Sequence, residues 1–211
     1  MKFKIRDKEK RNYSRECEAV ISELEAAGEK PRLLLHACCA PCSSYCLEYL
    51  APHFDITVFF YNPNMDTEEE FIRRSAELER FIDSSQMNVK VTIERYAPQD
   101  FYNAVRGLEA EPEGGGRCFK CYELRLRATA AYAAKNSFDY FTTTLSISPH
   151  KNAGALNEIG ERLGFEYGVR FLPSDFKKKD GFKRSIELSM RYGLYRQNYC
   201  GCVYSKEASP A

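Results

Sequence analysis

Seven cysteines fall in three short, turn-shaped segments: Cys38, Cys39 and Cys42 in HACCAPCS, Cys118 and Cys121 in RCFKC, and Cys200 and Cys202 in YCGC. Thiolates act as nucleophiles, redox groups and soft metal ligands, and three chemistries could use such a set. Structural zinc takes four ligands, commonly from two CxxC-type knuckles. Cys39/Cys42 with Cys118/Cys121 would supply one such site and leave Cys38, Cys200 and Cys202 over. A cubane iron–sulfur cluster also takes four thiolates, which can come from scattered segments. Neither the C-x-x-C-x-x-C run of ferredoxins nor the C-x-x-x-C-x-x-C run of radical enzymes occurs. Thiol–disulfide exchange is the third chemistry. Seven thiols exceed one four-ligand site, and side chains on adjacent residues point in different directions. The surplus suggests two metal sites in one pocket, or one site beside a redox pair. Cys17 and Cys46 stand outside the clusters and read as ordinary helix residues.

The rest of the composition narrows the setting. The chain has 211 residues, 44% of them hydrophobic, enough for the core of one domain. The formal net charge is +1, so any nucleic-acid surface must be a local patch. The opening MKFKIRDKEKRNY is charged and has no apolar core, so it does not read as a signal peptide. No apolar run approaches transmembrane length. These features predict a soluble cytoplasmic protein that meets no membrane. Structural disulfides are rare in that reducing compartment, and clustered cysteines there are more often metal ligands or redox groups.

The elements that position the thiols follow from periodicity. An amphipathic helix is predicted from about Asp7 to Ala27, ended by Gly28 and Pro31. Arg32 to His36 reads as a strand that runs straight into the first thiols, with Pro41 turning the chain and a helix starting near Ser43. Ile56 to Tyr61 is almost wholly apolar, as a buried parallel strand is, and ends in the turn Asn62-Pro63-Asn64. A charged helix over Thr67–Ile82, a strand over Val89–Ile93 and a short helix over Pro98–Val105 follow. Gly107 to Gly116 is a flexible loop. Its three consecutive glycines lack the Lys-Ser/Thr and the feeding strand of a phosphate loop. Cys118 to Lys135 is helical, with both CxxC thiols in its first turn, where the helix dipole favours thiolates. Phe138–Thr143 is a strand opening into SISPHKN, then comes a helix over Asn152–Leu163. A basic, aromatic segment from Phe171 to Tyr195 ends in a helix across Arg184–Arg191.

Alternating strands and helices predict an α/β fold, a mostly parallel sheet with helices on both faces. Loops beyond the carboxyl ends of such strands form the functional rim, which gathers ACCAPCS, NPN and SISPHKN. The CxC tail is predicted to dock on the same rim. The expected organisation is a helical extension over residues 1–30, a single metal-binding catalytic α/β domain over 31–205, and a tail over 206–211. His150 and Lys151 could supply an acid or a phosphate contact, or simply open a solvated helix. Lys177, Lys178, Lys179 and Arg184 form a basic run interleaved with Phe176, Phe182, Tyr192 and Tyr195. Such a run is usually a solvated face, but it is also the residue mix that contacts single-stranded RNA.

HACCAPCS, FFYNPN, RCFKCYELRL, DYFTTTLSISPHKN and YRQNYCGCVYS together resemble the successive motifs of the cobalamin-independent epoxyqueuosine reductases (QueH type), from about Leu33 to Ser205. The resemblance implies a Rossmann-like fold of the nucleotide α-hydrolase (PP-loop) group, with ACCAPC where SGGxDS would hold pyrophosphate. It implies an oxidoreductase that reduces epoxyqueuosine to queuosine at the tRNA wobble position, the last step of queuosine biosynthesis. It implies a [4Fe–4S] cluster and an additional mononuclear iron as cofactors. Cys38, Cys39, Cys118, Cys121, Cys200 and Cys202 match the motif cysteines, and Cys42 takes a position that some relatives give to Asp. The implied division gives the cluster Cys118, Cys121, one of the adjacent pair and one of the CxC pair, and the second iron Cys42 with the two left over. The implied partners are tRNA carrying epoxyqueuosine and an external electron donor such as flavodoxin or ferredoxin. His150, with Tyr199 as alternative, would donate the proton, and Lys151, Lys177, Lys178, Lys179 and Arg196 would hold tRNA phosphates. Two other functions remain open on the residues: a non-catalytic zinc-binding RNA module, and an ATP-dependent tRNA-thiolation-like enzyme. The missing nucleotide loop counts against the second.

Overall fold

The structure, a computed structural model, describes residues 11–207. Residues 7–10 of the predicted first helix and 208–211 of the predicted tail lie outside them. The described chain runs α1 (Tyr13–Ala27), β1 (Arg32–His36), α2 (Ala40–Leu50), β2 (Asp55–Phe60), α3 (Glu68–Ser85), β3 (Lys90–Ile93), α4 (Pro98–Ala104), α5 (Gly116–Lys135), β4 (Tyr140–Thr143), a 3-10 turn (Thr144–Ile147), α6 (Ala153–Tyr167), β5 (Arg170–Phe171), α7 (Gly181–Arg191) and α8 (Val203–Glu207). The five strands form one sheet in the order β3-β2-β1-β4-β5, and every pairing is parallel. The predicted α/β class is what the chain adopts.

β1 is central because it is apolar on both faces. Leu33 and Leu35 enter the core layer shared with α1, α2 and α3, while Leu34 enters the layer shared with α5 and α6. All three are fully buried, and each such side chain contributes roughly 1.5–3 kcal/mol through burial. α1 packs Cys17, Ile21 and Leu24 into the first layer, so this helix is part of the same core. Strand order reverses at β1, with β2 on one side and β4 on the other. The crevice beyond the carboxyl end of β1 is where an open parallel sheet receives a ligand.

Several boundaries differ from the sequence-based expectation. α2 starts at Ala40, so Pro41 and Cys42 belong to its first turn. Proline is tolerated there because its missing N–H would have no helical partner. α7 starts earlier, at Gly181, where close packing forbids a side chain: a Cβ would stand 2.0 Å from the Phe176 carbonyl oxygen and 2.5 Å from the Tyr45 ring. The 3-10 turn, the two-residue β5 and α8 are too short for periodicity to announce.

Candidate metal centre

Three segments carry the seven thiols to the rim beyond β1. The first is the strand-to-helix turn. Cys39 caps α2 in extended backbone, and the three sulfurs of Cys38, Cys39 and Cys42 lie within 4.8 Å of one another. Cys38 Sγ is 3.7 Å from Cys39 Sγ and 3.8 Å from Thr144 Oγ1. Hydrogen bonding from Cys39 and Cys42, with Arg125 nearby, holds the Cys38 thiol well below the ordinary thiol range. The same sharing pushes Cys39 up to about 12 and raises Cys42. The trio therefore stabilises one thiolate with two thiols, and a metal would replace the shared protons.

The second segment is the start of α5. Cys118, Cys121, Tyr122 and Arg125 recur at helical spacing and share one face. Burial pushes the Cys121 thiol up to about 12. The third segment is the tail. Gly201 adopts φ +115°, and its would-be Cβ lies 2.9 Å from Met65 Sδ. The Asp66 N–H donates to the Gly201 carbonyl at 2.8 Å, and Arg74 Nη1 donates to the Cys200 carbonyl at 3.4 Å. Tyr199 OH and Lys206 Nζ donate to the two oxygens of Asp66 at 2.9 and 2.7 Å. The tail thus docks on the loop after β2, and the thiols arrange as three and four. Cys118, Cys121, Cys200 and Cys202 line one small cavity with Asn64, Tyr122, Arg125 and Lys151. Cys200 also lines the neighbouring cleft beside Cys38 and Cys42, so the CxC tail borders both groups.

An open cleft of about 390 Å³ adjoins these groups, lined by Cys38, Cys42 and Cys200 at its floor and by Ile147, His150, Phe182, Arg196, Gln197 and Tyr199 on its walls. His150 is exposed on that wall. Tyr199 lines the cleft with its hydroxyl committed to Asp66. Arg196 is also exposed there, its guanidinium donating to Ser189 Oγ at 3.1 Å. Lys151 lines both spaces but is buried, 3.5 Å from Glu113. Burial pulls its ammonium down, yet the neighbouring Cys200, Tyr122 and Glu113 raise it overall, so it stays charged. The three consecutive lysines do not line the cleft. Lys177 pairs with Asp175 and Lys179 with Glu18, each at 2.5 Å, and Lys178 stands exposed beside them.

The donor set suits an anionic metal centre. Arg125 is fully buried, and its hydrogen bonds go to neutral or soft groups: His36 Nε2 at 3.3 Å, Asn62 Oδ1 at 2.5 Å and Cys121 Sγ at 4.0 Å. Asn64 and the Tyr122 hydroxyl, both lining the four-thiol cavity, have no hydrogen-bond partner among the described residues. Four thiols, two idle donors and three buried cations (Arg117, Arg125 and Lys151) around one space fit a thiolate-ligated cluster. The sequence reading passed over His36, Asn64, Tyr122 and Arg125. For Arg125 a signal existed, since it sits seven residues after Cys118 on the same helix face.

The chain is similar over most of its length to proteins of one family. The family model described as epoxyqueuosine reductase QueH matches residues 33–208. An epoxyqueuosine reductase QueH of Streptococcus pyogenes serotype M1 is 44% identical over 203 residues, covering 93% of this chain and 79% of that protein. Its namesake in Staphylococcus epidermidis is 42% identical over 203 residues, covering 93% and 85%. A namesake in Thermotoga maritima is 35% identical over 179 residues, covering 82% and 89%.

Proposed function

This chain belongs to the epoxyqueuosine reductase QueH family, and from that premise we propose that it reduces epoxyqueuosine to queuosine in tRNA. The reaction removes the epoxide oxygen as water, leaves an alkene, and consumes two electrons and two protons. The observation that carries the reading is the gathering of seven thiols in two adjoining groups beyond the central strand, with Cys38, Cys42 and Cys200 open to one cleft. Cys118, Cys121, Cys200 and Cys202 would hold a [4Fe–4S] cluster. Cys38, Cys39 and Cys42 would hold the mononuclear iron. When bound, these centres supply a Lewis acid for the epoxide oxygen and a path for single electrons from an external donor such as flavodoxin or ferredoxin.

The chain's own residues do the rest. The cleft admits a flipped-out modified base and keeps its reacting ring against Cys38, Cys42 and Cys200. His150 gives a proton to the departing oxygen. Burial and the bond to Asp66 raise the Tyr199 phenol, so Tyr199 stays protonated and fixes the loop beside the CxC thiols, with its hydroxyl as the alternative donor. Arg196 at the cleft wall contacts tRNA phosphate. Lys151, being buried, serves the anionic floor. Lys177, Lys178 and Lys179 extend the basic surface along the flank formed with α1. The setting is cytoplasmic, where tRNA is modified; no described helix is long and apolar enough to cross a membrane.

The test is to reconstitute the protein without oxygen, measure iron and acid-labile sulfide, and then supply reductant and tRNA bearing epoxyqueuosine. The expected result is about five irons and about four sulfides per chain, with queuosine appearing in the digested nucleosides. Stoichiometric zinc without sulfide, persisting after reconstitution, would overturn the reading in favour of a zinc-binding RNA module.

A further inference from the structure

We propose that Asn64 and Tyr122 donate hydrogen bonds to the sulfurs of the cluster held by Cys118, Cys121, Cys200 and Cys202, and so raise its reduction potential. The inference rests on the cluster assignment above and adds residues that are not ligands.

Asn64 is 1% exposed and Tyr122 is 2% exposed. Neither amide atom of Asn64 nor the hydroxyl of Tyr122 has a partner among the described residues. Leaving a buried polar group unsatisfied costs roughly 1–3 kcal/mol, so two such groups facing one small cavity call for a common acceptor there. The neighbouring Asn62 makes the contrast. Its Nδ2 donates to the Ala37 carbonyl at 2.9 Å and its Oδ1 accepts from Arg125, so it ties β2 to the β1 turn and has nothing left over. Asn64, two residues on, has no such structural duty.

The two groups reach the cavity from different elements. Asn64 sits on the loop after β2, and Tyr122 sits on α5 directly after Cys121. Both can donate: the amide offers two N–H bonds and the phenol one O–H. The sulfides and thiolates of a cluster can only accept. Hydrogen bonds to sulfur, net charge and burial set the potential of such centres. A cluster gains negative charge when one electron enters from the external donor, with no covalent bond made or broken. A donor aimed at its sulfur therefore stabilises the reduced form more than the oxidised form. Removing the donor lowers the potential.

The experiment uses the full chain reconstituted without oxygen, wild type beside Tyr122→Phe and Asn64→Ala. Iron and sulfide are measured first. A wild type that forms no [4Fe–4S] cluster sinks the cluster assignment itself. With the cluster present, midpoint potentials are read by a spectroscopic redox titration. Exchangeable proton couplings of the reduced cluster are read by electron–nuclear double resonance in light and heavy water. Tyr122→Phe removes one oxygen from a packed ring, so it keeps the fold and its cluster content. The expected result is a roughly tenfold shift of the reduction equilibrium toward the oxidised form, about 59 mV for a one-electron couple, with one exchangeable coupling lost. Asn64→Ala should shift it in the same direction. A Tyr122→Phe cluster with wild-type potential and an unchanged set of exchangeable couplings overturns the proposal while leaving the cluster assignment standing.

Discussion

Replacing Gly201 by alanine should release the tail that carries Cys200 and Cys202 while leaving the sheet intact. Gly201 has φ +115°, a conformation that side chains rarely adopt, and holding a residue with a Cβ there costs on the order of 1–3 kcal/mol. The new methyl would also meet Met65 Sδ at 2.9 Å and Arg74 Nη1 at 3.2 Å. Both neighbours are 1% exposed and hemmed in, so overpacking adds about 1 kcal/mol or more. Against this stand five hydrogen bonds among the described residues that dock the tail: Asp66 N–H to Gly201, Arg74 to Cys200, Tyr199 and Lys206 to Asp66, and Ser205 to Glu113. Each contributes roughly 1 kcal/mol net. The strain is therefore comparable with the docking energy and should raise local opening about 30-fold or more. Hydrogen exchange of amides 199–207 measures this directly, and iron and sulfide content measure the consequence. Exchange in β1 and α2 should not change. Wild-type protection of the tail together with full iron and sulfide in Gly201→Ala would refute the strain argument.

Three further outcomes follow from the same geometry. Cys121→Ser should lose acid-labile sulfide, whereas Cys42→Ser should keep about four sulfides and lose about one iron; identical losses in the two variants would break the division of thiols into four and three. Metal uptake should tighten as pH rises, because Cys39, Cys42, Cys121 and Cys202 are all raised as free thiols and must lose protons to ligate; calorimetry in two buffers of different ionisation enthalpy should show protons released, and a buffer-independent heat would contradict it. Gly160→Ala should lower stability by about 1–3 kcal/mol in chemical denaturation without changing metal content, because its Cβ would fall 2.3 Å from the ring of Phe171 on the edge strand β5, and neither residue lines the thiol spaces; an unaltered midpoint would show that α6 and β5 can part freely.

How far the sequence could be read depends on what kind of signal each residue leaves. β1, β2 and β4 were legible because Leu33–Leu35, Ile56–Phe60 and Tyr140–Thr143 are short runs of apolar, aromatic and β-branched residues bounded by turn residues. The thiols were legible because cysteine spacing is itself a pattern. Which thiols the tail brings beside the CxxC pair was not, since that depends on how the tail settles against the loop after β2. Asn64 and Asn62 look alike in FFYNPN, yet one is saturated with partners and the other has none. That distinction exists only once α5 lies beside the loop. Lys177, Lys178 and Lys179 form a conspicuous run, but the start of α7 turns them toward α1, where Glu18 meets Lys179. Charge runs report composition, and only packing decides which way they face.

The buried cations are the residues hardest to explain without an anionic centre. Arg74 is 1% exposed, and Glu70 meets its guanidinium at 2.6 Å, so a carboxylate neutralises it. Arg125 is equally buried, and no carboxylate among the described residues forms an ion pair or hydrogen bond with it. Burying a charge costs several kcal/mol, more than hydrogen bonds to His36, Asn62 and a distant thiol recover. Its guanidinium lines both the open cleft and the four-thiol cavity, facing Cys38 on one side and Cys121 on the other. The Cys38 thiolate balances it on one side, and thiolates bound to metal would do so on both sides at once. In a nucleotide-binding relative of this fold, phosphate would sit at the same strand end and helix start. Here sulfur occupies the turn, and a buried arginine between the two thiol groups supplies the positive charge that a bound anion requires.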